Sequence, residues 1–128
     1  MSGQKYDGFL PGRHSIEGYG SGGFSFAGMS HRGSIFALPS GIRAVAAIGV
    51  ADVNADLLAP LFAEPQGTIN LLVLGAGAGF ALPPRAIRDL LKARGIGLDP
   101  MATAHAVSTY NILLGEGRPV AALLLATA

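Results

Sequence analysis

The chain has 128 residues, enough for one domain with a sizeable core. Half of the residues are hydrophobic, 13% are charged (about half the ordinary share), and the net charge is +1. This balance excludes a general electrostatic drive toward nucleic acid or anionic membrane, and the absence of cysteine excludes disulfides, thiolate metal sites and cysteine nucleophiles.

Residues 1–13 read as a flexible N-terminal tail or an edge wrap, and residues 14–128 as a single α/β domain. The opening stretch has neither an apolar signal core nor an arginine-rich amphipathic pattern. Ten of the nineteen glycines lie at or before Gly41, where short alternating segments suggest a β-meander bent and bulged by glycine. "SIEGYG" and "GFSFAGM" are its first strands, with Phe24, Phe26 and Ala27 available to pack. "SHRG" reads as the hairpin turn, "GSIFALPSG" as a strand ended by Pro39 and Gly41, and "IRAVAAIGV" as a further strand.

The second half changes rhythm. Asn54 is placed to cap a helix, "ADLLAPLFA", which Pro60 limits to about two turns. Asp52 and Asp56 suit its positive end better than acid–base chemistry. "TINLLVL" is a continuous apolar strand of the kind covered on both faces. It leads into "GAGAGF", which invites comparison with a dinucleotide fingerprint. Counting from Gly75, the third position is Gly77 but the sixth is Phe80, so the glycine that lets helix and strand approach closely is missing. No Gly-Lys-Ser or Gly-Lys-Thr follows either. The stretch reads as a flexible turn at a strand's carboxyl end, its backbone N–H groups available to an anion.

Pro83 or Pro84 opens the next helix, "RAIRDLLKAR", with Ile87, Leu90 and Leu91 on one side and Arg85, Arg88, Asp89 and Lys92 on the other. The basic stripe lacks interleaved aromatics, so nucleic acid is not an expected partner. After Gly95 comes a short strand, "IGLD". Thr103 is placed to cap a helix running to about Leu114, and "RPVAALLL" is the last strand. On that helix Ala106, Val107, Tyr110, Leu113 and Leu114 share one arc, Asn111 sits at the border, and Tyr110 reads as a core anchor with a polar tip. Glu116 and Arg118 flank Gly117 and are expected to pair or to cap helix carbonyls.

This β-α-β-α-β order predicts helices packed on a partly parallel sheet. Parallel strands would bring residues 75–82 and 100–103 to the same edge, where open α/β sheets hold their ligands. His14, His31 and His105 have no metal-ligand spacing, and no serine sits in a nucleophile elbow. No catalytic residue, metal or cofactor is assigned. Pro83 and Pro84 close the apolar run from Ile69, and "PVAALLLATA" has about half the length needed to cross a bilayer. Direct membrane insertion is not expected.

"MAT" at 101–103 followed by "STYNILLGEGRPVAALL" from Ser108 resembles a signature of Met-Asp-Thr, then Cys-Arg-Thr-Tyr-Asn, then Glu-Gly-Arg-x-Val-Ala-Ala. "LLVLGAG" with "LPP", "IEGYGSGGFSFAG" and "GSIFALPSGI" resemble further segments in the same order. The chain thus resembles a bacterial member of a widespread uncharacterised family. Its eukaryotic relatives include mitochondrial complex I assembly factor three and an adipogenesis-associated protein. The resemblance implies a three-layer α/β fold around a central mixed sheet of about five strands. It implies protein-interaction or assembly roles, not an established reaction. The signature's Asp is Ala102 here, its Cys is Val107 and its Arg is Ser108, while Gly75, Gly77, Thr103, Thr109, Tyr110, Asn111, Glu116 and Arg118 remain as the ligand- or partner-binding set.

The leading expectation is a non-enzymatic interaction or assembly factor, linked to respiratory complex assembly. Its partner would be a protein, such as a membrane-complex assembly intermediate, and the low charge leaves homo-oligomers open. It is expected in the bacterial cytoplasm, including the periphery of the inner membrane. The alternative is a small-molecule or anion-binding protein, or an enzyme, with a pocket between residues 75–82 and 100–103.

Overall fold

The computed structural model describes residues 5–127. Strands β1 (Phe9–Pro11), β2 (Gly18–Gly20), β3 (Gly23–Phe26), β4 (Met29–Arg32), β5 (Ser34–Leu38) and β6 (Gly41–Val45) come first. A 3-10 turn (Val50–Asp52) leads into α1 (Ala55–Phe62), then β7 (Leu71–Gly75), α2 (Arg85–Ala93), β8 (Gly97–Met101), α3 (Thr103–Gly115) and β9 (Val120–Leu124).

Six strands form a mixed sheet in the order β1-β6-β5-β9-β7-β8. β7 is parallel to both β8 and β9, and β5 runs antiparallel to β9. Strand β9 lies between the two halves and is buried at every position, as a strand covered on both faces must be. Its alternation divides the core. Val120, Ala122 and Leu124 pack with Tyr110, Val107 and Ala106 of α3 and with Phe24 and Phe26 of the small sheet. Ala121 and Leu123 pack with Leu58 and Leu61 of α1 and Ile87 and Leu91 of α2. The result is three layers: α3 with a three-stranded sheet, the six-stranded sheet, and α1 with α2.

The N-terminal meander is therefore divided between two sheets. β2, β3 and β4 pair only with one another, while β5 and β6 join the large sheet. The turn expected at "SHRG" is strand β4. The chain reverses instead at residues 27–28, between the paired Phe26 and Met29. Ala27 has φ 51° and Gly28 has φ 74°, the two positive angles that a twisted two-residue hairpin requires. Ala27, read as a packing residue, is thus an exposed turn residue. Of the two readings of residues 1–13, a flexible tail or an edge wrap, residues 9–11 follow the second, pairing with β6 as the edge strand β1; residues 1–4 lie outside the described part.

Asn54 caps α1 as the sequence predicts, its Oδ1 accepting from the Leu57 N–H at 2.9 Å. Asp52 accepts from the N–H groups of Gly49 and Ile48 at 3.0 and 2.8 Å, and these bonds hold its carboxyl below the usual range. Thr103 does not cap α3. The N-cap is Ala102, which has no side chain able to bond, and Thr103 is the first helical residue. No helix among the described residues is long and apolar enough to cross a membrane.

Candidate functional site

The parallel pairing of β7 with β8 brings the loops after them to one edge of the sheet, and there they bond directly to each other. Ala76 N–H donates to the Met101 carbonyl at 2.7 Å, and Thr103 N–H donates to the Gly77 carbonyl at 2.8 Å. The Thr103 hydroxyl accepts from Gly77 N–H at 3.0 Å and donates to the Leu125 carbonyl at 2.7 Å. Leu125 N–H closes the ring on the Gly75 carbonyl at 2.9 Å. The only hydroxyl proton of Thr103 is committed, and the residue is 1% exposed. It presents no free group to a ligand.

The glycines serve this junction. A Cβ on Gly75 would lie 3.0 Å from Thr103 Oγ1 and 3.1 Å from Leu124 Cδ2, so the first turn of α3 can approach β7 only over a bare backbone. Gly77 has φ 103°, which lets the chain turn back to meet Thr103.

Tyr110 and Asn111 act elsewhere. Asn111 Oδ1 accepts from Ile16 N–H and Asn111 Nδ2 donates to the Ile16 carbonyl, both at 2.8 Å. One side-chain amide thereby takes the place of a neighbouring strand for the segment entering β2. Tyr110 is 1% exposed. Its hydroxyl donates to the His14 carbonyl at 3.5 Å, and burial pushes the phenol up to about 12. Thr109 is half-buried on the same helix. Glu116 and Arg118 form an exposed pair at 3.6 Å, about 20 Å along the axis of α3 from Thr103 at 1.5 Å per residue. Seven of the eight residues that carry the signature thus occupy three places, a buried junction, a clamp on residues 14–16 and a surface ion pair, with Thr109 beside the clamp on α3.

Beyond Gly77 the loop changes character. Ala78, Gly79, Phe80 and Leu82 are exposed, Phe80 at 68% and Leu82 at 48%. Leu82 is also one wall of a groove of about 450 Å3 between α2 and β8, with Ile96, Leu98 and Pro100 below and Arg88 and Lys92 on the rim. A wider hollow of about 780 Å3 lies between β6 and the start of α1, with Arg43, Asp52 and Asp56 around it. Asp52 is already occupied by its two backbone donors, and the Arg43 guanidinium stacks 4.9 Å from the Phe9 ring centroid. Among the described residues no three His, Cys, Asp or Glu side chains are placed to hold a metal ion.

The sequence shows Leu82, Ile96 and Leu98 only as apolar residues, and nothing in their spacing separates a groove wall from a core. The usable signal is local: "GAGAGFALPP" places a phenylalanine where a glycine-rich turn offers nothing to bury it.

The chain is similar to proteins of several organisms. An uncharacterized protein of Rhodobacter capsulatus is 43% identical over 110 residues, which are 86% of this chain and 82% of that protein. The NADH dehydrogenase [ubiquinone] 1 alpha subcomplex assembly factor 3 of Danio rerio is 32% identical over 111 residues, 86% of this chain. The chain spans 63% of that relative's length. A crystal structure from Bartonella henselae, of a protein described as an outer membrane protein, superposes with a TM-score of 0.86 at 43% identity, covering 92% of this chain and 98% of that one. The arrangement built around Gly75, Thr103 and Asn111 lies within residues 16–125, the span that matches the family described as "Protein of unknown function (DUF498/DUF598)", and to that family this chain belongs.

Proposed function

We propose that this protein is a non-enzymatic interaction and assembly factor that holds a protein partner, an assembly intermediate of a respiratory membrane complex. The observation that carries this reading is a contrast in use. Thr103 and Asn111, polar residues of the family signature, bond within the fold, while large apolar side chains, Phe80 and Leu82, stand in solvent. An exposed apolar cluster beside a groove is a feature of surfaces that bind other proteins. The similarity to relatives named as complex I assembly factors supports the same reading. In this reading the protein works on the cytoplasmic side, at the periphery of the inner membrane.

Affinity purification of the tagged protein from native cells, with quantitative mass spectrometry, tests it. Subunits of the respiratory NADH dehydrogenase are expected among reproducible partners. Recovery of no protein partner under cross-linking overturns the reading. The other reading, a small-molecule or anion site between residues 75–82 and 100–103, draws support from the groove that Leu82 and Pro100 share. A thermal-shift screen of phosphorylated and carboxylate metabolites tests it through the stabilisation a bound ligand confers.

A further inference from the structure

We infer that the groove between α2 and the outer edge of β8, together with Phe80, docks an acidic amphipathic helix of the partner protein. The inference rests on the protein-interaction reading above and adds the surface and the chemistry of what it holds.

The floor of the groove is apolar. Leu82, Ile96, Leu98 and Pro100 line it, and Phe80 stands two residues from Leu82 with 68% of its surface exposed. The rim is basic. Residues 85–94 hold four cations, Arg85, Arg88, Lys92 and Arg94, against one carboxylate, Asp89, in a chain whose net charge is +1. Asp89 lies 3.8 Å from Arg85, and Arg94 stacks 4.4 Å from the Phe62 ring centroid. Arg88 and Lys92, one helical turn apart on the rim, are in no ion pair among the described residues. Asp99 does not offset them. Side chains alternate along a strand, and Leu98 and Pro100 face the groove, so Asp99 faces the other side. An occupant matching this surface carries large apolar side chains in the middle and carboxylates along its flank.

The backbone of β8 favours a helix over an added strand. Gly97 N–H bonds to the Asn70 carbonyl and the Met101 carbonyl accepts from Ala76, so residues 97, 99 and 101 direct their polar backbone toward β7. Residues 98 and 100 direct theirs outward. Pro100 has no N–H, so within β8 an added strand would find the Leu98 donor alone. Strand addition depends on such main-chain bonds, whereas a helix in a groove uses side chains at i, i+3, i+4 and i+7. A second copy of this chain is a poor fit for the same place. Its α2 is basic, α3 has no carboxylate within Thr103–Gly115, and α1 has only Asp56.

Two probes test the proposal. The first is a synthetic helical peptide with leucines at i, i+3, i+4 and i+7 and glutamates on its flank, against the same peptide with lysines for glutamates. NMR titration is expected to shift the amides of residues 80–100 with the acidic peptide only. Arg88→Glu with Lys92→Glu is expected to weaken that binding by about tenfold and to reverse the preference between the two peptides. Equal binding of both peptides, or a response to anionic phosphatidylglycerol vesicles in place of the acidic peptide, overturns it.

The second probe is a photo-reactive residue placed at Phe80, or at Tyr19 on the far sheet, in the full chain inside native cells. Cross-links from position 80 to an acidic helical segment of another protein support the groove. Partner cross-links from position 19 alone overturn the groove and leave the interaction reading standing. Cross-links from 80 to a second copy also overturn the groove. Absence of cross-links at both positions overturns the groove and counts against the interaction reading as well. Both residues are exposed, so unchanged melting temperatures are expected to confirm that the variants fold.

Discussion

The loop that leaves β7 behaves as two regions. Residues 75–77 are bonded to the start of α3 and to the end of β9, with the Thr103 hydroxyl both accepting and donating. Residues 78–82, one step further, leave Phe80 and Leu82 in solvent. The difference shows that a motif and an exposed apolar surface can be neighbours without being the same thing. The first region holds three elements of the fold at fixed distances. The second stands on that support and is free to meet something else.

The largest effect is expected from breaking the closed region. Thr103→Val keeps the shape but leaves Gly77 N–H and the Leu125 carbonyl without partners, a loss of about 3 kcal/mol. Urea unfolding should show a lower midpoint with an unchanged slope. Asn111→Ala removes both bonds to Ile16 and should cost about 2 kcal/mol. Hydrogen exchange at Ile16 should rise with it, which separates the clamp from the junction.

An improvement sharpens the same contrast. Ala102 has the backbone geometry of an N-cap, φ −59° and ψ 145°, without a capping side chain. Ala102→Asp is expected to stabilise the protein by about 1 kcal/mol through the free N–H groups of the first turn. Calorimetry should show a higher melting temperature.

On the alkaline side, burial raises the Tyr110 phenol to about 12 from 10.0. The folded state holds its proton more tightly than the unfolded state. That stability is therefore complete below pH 10 and is lost as pH rises toward 12. Tyr110→Phe should make the alkaline fall shallower, keeping the share due to Tyr6, whose phenol burial also raises to about 12. In the open region, Phe80→Ser should change folding stability by less than about 0.5 kcal/mol while removing partner binding. A large loss of stability there would mean that the two regions are not distinct.

The alternation and helical periods of the chain carried the fold well where residues act locally. The Asn54 cap, the buried β7 strand and the inward arc of Ala106, Val107 and Tyr110 are all visible in the order of residues. Non-local partners were not visible. Thr103 has the composition of a helix cap, but its hydroxyl bonds to Leu125, 22 positions away. Asn111 reads as a border residue, but its partner is Ile16, 95 positions away. Ser34 carries no signal at all, yet its hydroxyl joins the carbonyl of Ala47 to the N–H of Ala126. The turn at Ala27 comes a few residues earlier than the sequence suggests, because a positive φ is unusual for a residue with a Cβ. The candidate groove was the least legible part, because exposed and buried leucines look alike in a sequence.

Strand β9 has a consequence for how the molecule is made. It lies between β5 and β7, which do not pair with each other. Until residues 120–124 are in place, the β5–β6 hairpin and the β7–β8 unit are separate fragments with unpaired edges. Pairs such as Phe36 with Leu123 join residues far apart in the chain, and contacts of that range make folding slow. Both halves of the sheet must therefore wait for their last strand, during synthesis as well as on refolding. In that interval the exposed edges of β5 and β7 are where the chain is most open to mispairing and to the attention of chaperones.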